Sequence, residues 1–190
     1  MRHLSKLVLA LGLVGLVALT AWARDEKKEP DVIFVPTPQE VVDKMLELAK
    51  VKKDDVVYDL GCGDGRIVLT AARKFGVKAR GFDIDPERIK DCEANFKKEK
   101  EEVQKLVTFE RKDIFTLDLS EATVVTLYLL PELNVKLVPQ LKKLKPGSRI
   151  VSHAFDMRGY KPDMKVTVKC KDDVERDVYL WTIPLKPEKE

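Results

Sequence analysis

The sequence is poor in the residues that staple or metallate small domains. Among 190 residues there are three cysteines, Cys62, Cys92 and Cys170, and two histidines, His3 and His153. The cysteines are odd in number, lie far apart and form no C-x-x-C, so neither a disulfide framework nor a zinc knuckle is expected. No cluster of metal ligands and no Ser-His-Asp set can be picked out, and no metal is expected. An excess of one charge is missing as well. Lysine and arginine number 35 against 32 aspartates and glutamates, for a net charge of +3, too even a balance for a strong field toward nucleic acid. No nucleic-acid partner is therefore expected. Internal repeats and low-complexity tracts are absent. A chain that is 44% hydrophobic and 35% charged is neither a polytopic membrane protein nor a disordered one. Its length suits one domain with an appendage.

The appendage is amino-terminal. Arg2 and Lys6 precede an unbroken apolar run from Leu7 to Leu19, and Thr20-Ala21-Trp22-Ala23 closes it with alanines at the two A-x-A positions. This is the plan of a secretory signal cleaved after Ala23. An uncleaved membrane anchor is the alternative, because Leu7 to Ala23 is at the lower edge of what spans a bilayer. Residues 1–23 are thus read as signal peptide or anchor, residues 24–33 as a charged linker, and residues 34–190 as the folded domain. Arg24, Lys27 and Lys28 follow the apolar run as closely as Arg2 and Lys6 precede it, so charge leaves topology open. The protein is expected to be membrane-associated or exported, with a domain on the cytoplasmic face as a hypothesis.

The remainder alternates helix and strand. Thr37-Pro38-Gln39-Glu40 has the form of a capping box with Thr37 as cap, and Val41, Val42, Met45, Leu46 and Ala49 repeat on one face of a helix over about 38–50. Buried parallel strands are predicted over 56–60, 78–82, 107–111, 122–130 and 149–153, with helices between them. One charged helix, capped by Asp85 and followed by Pro86, should carry Ile89, Cys92, Phe96 and Val103 inward. Residues 165–170 and 177–183 leave no room for a helix between them and should pair antiparallel. The pattern is a three-layer α/β domain with a carboxyl-terminal antiparallel hairpin.

The motifs sit at strand ends. Asp59-Leu60-Gly61-Cys62-Gly63-Asp64-Gly65 lies where the first strand turns into a helix, the place at which doubly wound folds bind ligands. A dinucleotide fingerprint would need glycine at position 66, where Arg66 stands. An acid near the end of the second strand binds ribose hydroxyls in such folds, and Asp83 follows Gly65 by 18 residues. Asp85 competes for that role but is better explained as a helix cap.

The D-x-G-x-G-x-G loop resembles motif I of Rossmann-like methyltransferases that use S-adenosylmethionine (SAM). That resemblance implies a cofactor site formed by Asp59, Gly61, Gly63, Gly65 and Asp83. It also implies that Asp113 meets the adenine amino group beside an apolar wall at Ile114, and that Thr37 closes over the cofactor. A closer likeness covers almost the whole domain: FVPTP, DLGCGDGRIV, GFDIDPERI, TLYLLPELN and LKPGSRIVSHAFDM resemble the small methyltransferases related to lysine methyltransferases of the adenine nucleotide translocase and the ATP synthase c subunit. It implies a Rossmann-like seven-strand methyltransferase fold and a protein lysine acceptor, with a membrane-associated protein as substrate.

Methyl transfer from a sulfonium needs an aligned nucleophile and no covalent enzyme intermediate. A lysine amine must first lose its proton. Tyr128, Glu132 and His153, with Asp156, are the polar residues expected near the carboxyl ends of the fourth and fifth strands, and they are the candidates for the acceptor pocket. A small-molecule methyltransferase would share the cofactor residues and differ only in that pocket. A catalytically silent SAM-binding or envelope interaction protein is the third reading.

Overall fold

The computed structural model describes residues 30–188. The apolar segment 1–23 and most of the charged linker lie outside the described residues, and among those described no helix is long and apolar enough to cross a membrane. The chain runs α1 (Gln39–Leu48), β1 (Val56–Leu60), α2 (Arg66–Phe75), β2 (Lys78–Asp83), α3 (Pro86–Phe96), α4 (Glu101–Gln104), β3 (Val107–Arg111), a 3-10 turn (Ile114–Thr116), β4 (Val124–Leu127), α5 (Pro131–Leu141), β5 (Arg149–His153), β6 (Met164–Lys169) and β7 (Glu175–Thr182). The seven strands form one sheet in the order β3-β2-β1-β4-β5-β7-β6. The five strands from β3 to β5 are parallel, and β7 runs antiparallel to both β5 and β6.

The pleat assigns each strand residue to a layer. Val57, Ala79, Val124, Val151 and Val178 pack with α1 and α2 on one face of the sheet. Tyr58, Phe82, Val125, Ile150 and Trp181 pack with α5 on the other. Strand order reverses between β1 and β4, and the carboxyl ends of these two neighbours form the switch point at which such folds bind ligands.

Two local expectations change. The single charged helix is two, because the chain leaves helix at residues 97–100 between α3 and α4. Thr37 is not the cap of α1: Pro38 holds that position and no side chain caps the helix. The Thr37 hydroxyl is instead used in a hydrogen bond to His153, so helix and hydroxyl part company one residue earlier than the capping pattern implies. Asp85 does cap α3, accepting the Glu87 amide at 2.8 Å ahead of Pro86.

Candidate active site

The carboxyl ends of β1, β2 and β4 open into a cleft of about 770 Å³, covered on one side by the segment 30–37. Its floor is the glycine loop. Gly61 and Cys62 both donate their amides to the Phe82 carbonyl, at 2.8 and 3.0 Å, folding the loop back over the end of β2. Gly61, Gly63 and Gly65 have φ of +81°, +56° and +80°, a region open to glycine and costly to other residues. Space is the second constraint, and it comes from the protein itself. A Cβ on Gly63 would collide with the Phe34 ring, and one on Gly65 would stand 2.6 Å from the Phe109 ring. Gly61 and Gly63 line the cleft, whereas Gly65, also expected there, is the N-cap residue of α2 and does not line it.

Carboxylates surround this loop. Asp83 is 9% exposed, accepting the Gly63 amide on one oxygen at 2.9 Å and the Asp85 amide on the other at 3.0 Å. Burial pushes its acid upward against the pull of these amides, and each oxygen retains a lone pair for a ligand hydroxyl. Asp59 is 2% exposed and receives the Thr126 hydroxyl at 2.6 Å. Burial first, then the neighbouring Asp83 and Asp64, raise it to about 7, well into the range where a site acid responds to a bound charge. Asp64 is held low by Arg66, which overcomes the opposing effect of burial and grips both oxygens at 2.6 to 3.2 Å. Asp113 accepts the Phe115 amide at 3.0 Å and lines the cleft with Ile114 and Phe115.

The far wall is apolar and aromatic: Tyr128, Leu129, Leu130, Leu133 and Phe155. Tyr128 lies with its ring centroid 3.8 Å from that of His153 and 6.1 Å from that of Phe155. Three expected acceptor-pocket residues are placed differently, Asp156 being exposed and outside the cleft lining. His153 is 1% exposed and sits behind Tyr128, away from the cleft lining. Burial, and secondarily Arg176, lowers its acid to about 4, so the ring is neutral at pH 7. Glu132 points outward from the first turn of α5 and pairs with Arg158 at 3.2 Å, both side chains being 64% exposed; it does not reach the cleft.

Sequence reasoning missed two residues that shape the site. Phe34 covers Gly63 and is itself covered by Arg88, whose guanidinium lies 4.8 Å from the ring centroid. Arg88 in turn pairs with Asp91 at 2.9 Å and approaches Asp85 at 3.7 Å. An aromatic residue in a proline-flanked segment just ahead of the first helix was the one signal for Phe34. Nothing in the sequence singled out Arg88 from the other cations of its helix.

A mixed seven-strand sheet, with this glycine loop at its switch point and buried acids ending β1 and β2, defines a Rossmann-like methyltransferase. Comparison with known proteins gives the family: residues 59–164 match the ANTKMT methyltransferase domain, and the chain belongs to that family. It is 50% identical to a protein-lysine N-methyltransferase of Saccharolobus islandicus (strain REY15A) over 157 residues, 81% of this chain and 95% of that one. It is 26% identical over 162 residues to the human lysine N-methyltransferase of the ATP synthase c subunit; the match spans 82% of this chain and 68% of the relative. Among solved structures, one described as an RNA methyltransferase from Salinibacter ruber, crystallised with S-adenosyl-L-homocysteine (SAH), superposes with a TM-score of 0.73. That structure is 50% identical and covers 82% of this chain and 98% of its own.

Proposed function

We propose that the protein is a SAM-dependent protein-lysine N-methyltransferase. The cofactor fits the residues present: a glycine loop whose amides end beside a buried carboxylate, a second acid with unused lone pairs, and an apolar wall. Asp83 would hold the ribose hydroxyls, Asp113 and Ile114 the adenine end, and Asp59 the cationic amino-acid end. When bound, SAM supplies a methyl group already activated on sulfonium sulfur. The protein's own work is to orient and to exclude water. Tyr128, Leu129 and Phe155 form the apolar wall that strips water from an approaching side chain, and desolvation favours the neutral amine that can attack.

The acceptor is the point on which two relatives of equal identity carry different descriptions, one a protein lysine and the other RNA. The observation that favours lysine is the charge of the cleft. Six aspartates line it against two arginines; Arg66 and Asp64 cancel one another, Arg88 is paired with Asp91, and even with Asp59 raised to about 7 the acids remain in excess. An acidic mouth draws in an ammonium group and repels a phosphate backbone. Incubating the full chain with labelled SAM, a membrane extract and total RNA, then mapping the label, tests this. Label on a protein lysine, at a rate rising from pH 7 to 9 as more amine is neutral, is expected. Label confined to RNA or to a small molecule would overturn it.

The proposal extends to place. The apolar run 7–23 supports membrane association, and a cytoplasmic face would keep the domain with its cofactor. Protease added to intact cells tests it, since digestion of the domain or a mature terminus at Arg24 would exclude a cytoplasmic anchor.

A further inference from the structure

Thr37 is buried at the end of the segment that covers the cleft, and it is tied on two sides. Its carbonyl accepts from Arg66 Nη1 at 2.8 Å, and Arg66 is locked to Asp64 of the glycine loop. Its hydroxyl shares a 3.1 Å hydrogen bond with Nδ1 of His153, and the His153 ring lies on Tyr128 of the acceptor wall. The two tethers have little in common chemically. One is charge-assisted and partly exposed; the other is a buried bond between neutral groups, which leaves a polar group unpaired if either partner is lost.

We propose that Thr37 is a positioning residue that couples the cofactor loop to the acceptor wall, through Arg66 and Asp64 on one side and through His153 and Tyr128 on the other. This rests on the methyltransferase reading above, since a loop without a cofactor would have no state to transmit. His153 thereby has a task other than proton transfer: a ring kept neutral by its surroundings is a fixed brace for Tyr128 and a partner for one hydroxyl. A change in loop position on binding moves Arg66, hence Thr37, hence the ring behind Tyr128. No other residue among those described is hydrogen-bonded to both Arg66 and His153.

A chain of contacts is not yet coupling, which must be measured as an effect at one end that depends on the middle. The full chain is followed by hydrogen exchange with and without SAH, at concentrations saturating for each variant, which needs no acceptor. In the wild type, SAH should slow exchange at least threefold both in the loop 61–65 and in residues 128–133. In Thr37→Val, loop protection should remain and that at 128–133 should be lost. Thr37→Ser, which keeps the hydroxyl, should restore it. His153→Phe, which keeps a ring against Tyr128 and removes the bond, should behave as Thr37→Val, and the double variant should be no worse than either alone. Undiminished protection at 128–133 in Thr37→Val, or in His153→Phe should Thr37→Val not fold, would mean that the ligand touches that wall directly and would overturn the proposal. Failure of the wild type to bind SAH would instead overturn the cofactor reading.

Discussion

Asp55 and Asp59 stand four residues apart at opposite ends of the same strand region, both almost fully buried, yet their surroundings differ. At the amino-terminal end of the sheet, Asp55 accepts from the Arg149 guanidinium at 2.6 Å, the Thr123 hydroxyl at 2.7 Å and the Lys52 amide at 2.8 Å. Burial works to raise its acid, but these three donors hold it below the ordinary value. At the carboxyl end, Asp59 has the Thr126 hydroxyl, neighbouring acids and an acid raised to about 7. A carboxylate answered within the fold stabilises it. One left partly unanswered destabilises the fold and is retained where a ligand supplies what is missing.

The widest separation of the two ends should come from Asp55→Ala. Removing it leaves Arg149 facing a hole where β1, β4 and β5 begin, and loss of one partner of a buried pair costs about 3–5 kcal/mol. Denaturant unfolding should show a loss near the lower figure, because the Arg149 side chain is partly exposed, while SAH affinity measured below the transition stays within about twofold. A large loss of affinity in still-folded protein would erase the distinction. Gly63→Val is the counterpart. A β-branched residue at φ +56° is strained, and its Cβ would displace the Phe34 ring from the loop. About a hundredfold weaker SAH binding, or 2.7 kcal/mol, is expected in calorimetry, with a smaller change in stability.

The same contrast explains what could be read from the sequence. The cofactor end is built largely from backbone, so its requirements appear as residue types at fixed spacing: glycines at positive φ, an acid closing β1, another closing β2. The strands were legible because buried parallel strands are continuous apolar runs, as in Val56–Leu60 and Val124–Leu127. The proposed acceptor end is assembled from side chains at 34–37, 128–133 and 153–155, distant in the chain, and no local pattern announces that Thr37 meets His153 across 116 residues. The Thr37 capping signal was genuine in form, and a tertiary hydrogen bond overrode it. Glu132 and His153 lie near the right strand ends, but which way each points depends on α5 and on the sheet pleat together.

A subtler effect joins the two halves of the site. Asp59 is held above its ordinary 3.8 at about 7, so over that window the native state carries a proton that the unfolded chain has released. By linkage, its contribution to stability falls as pH rises from about 4 to 7. His153 is held below its ordinary 6.5 at about 4, so between those values the unfolded chain carries a proton that the native state refuses. Its contribution rises with pH over nearly the same window. The two slopes oppose one another, each at most about 1.4 kcal/mol per pH unit. Unfolding of Asp59→Asn should therefore show stability that rises with pH between about 4 and 6.5, and His153→Phe stability that falls between about 4 and 7. Wild-type stability should be flatter than either. Identical pH profiles in all three proteins would show that neither group is as desolvated as the packing indicates.

The smallest effect should belong to Glu132, a candidate for the acceptor pocket from its place after β4. It stands in the first turn of α5, where a negative charge is favourable, and its partner Arg158 is as exposed as it is. Surface ion pairs of this kind contribute about 0–1 kcal/mol. Glu132→Gln keeps the shape and removes the charge, so the melting temperature should hardly move, and kcat and KM for the methylated protein should stay within about twofold. Leu130 and Leu133, on either side of it in sequence, do line the cleft, which makes the comparison sharp: Leu133→Ala should raise KM where Glu132→Gln does not. A tenfold fall in kcat for Glu132→Gln would mean that the acceptor crosses the amino-terminal turn of α5 on its way in. The acceptor wall would then extend from the apolar residues 128–133 onto the charged outer face of that helix.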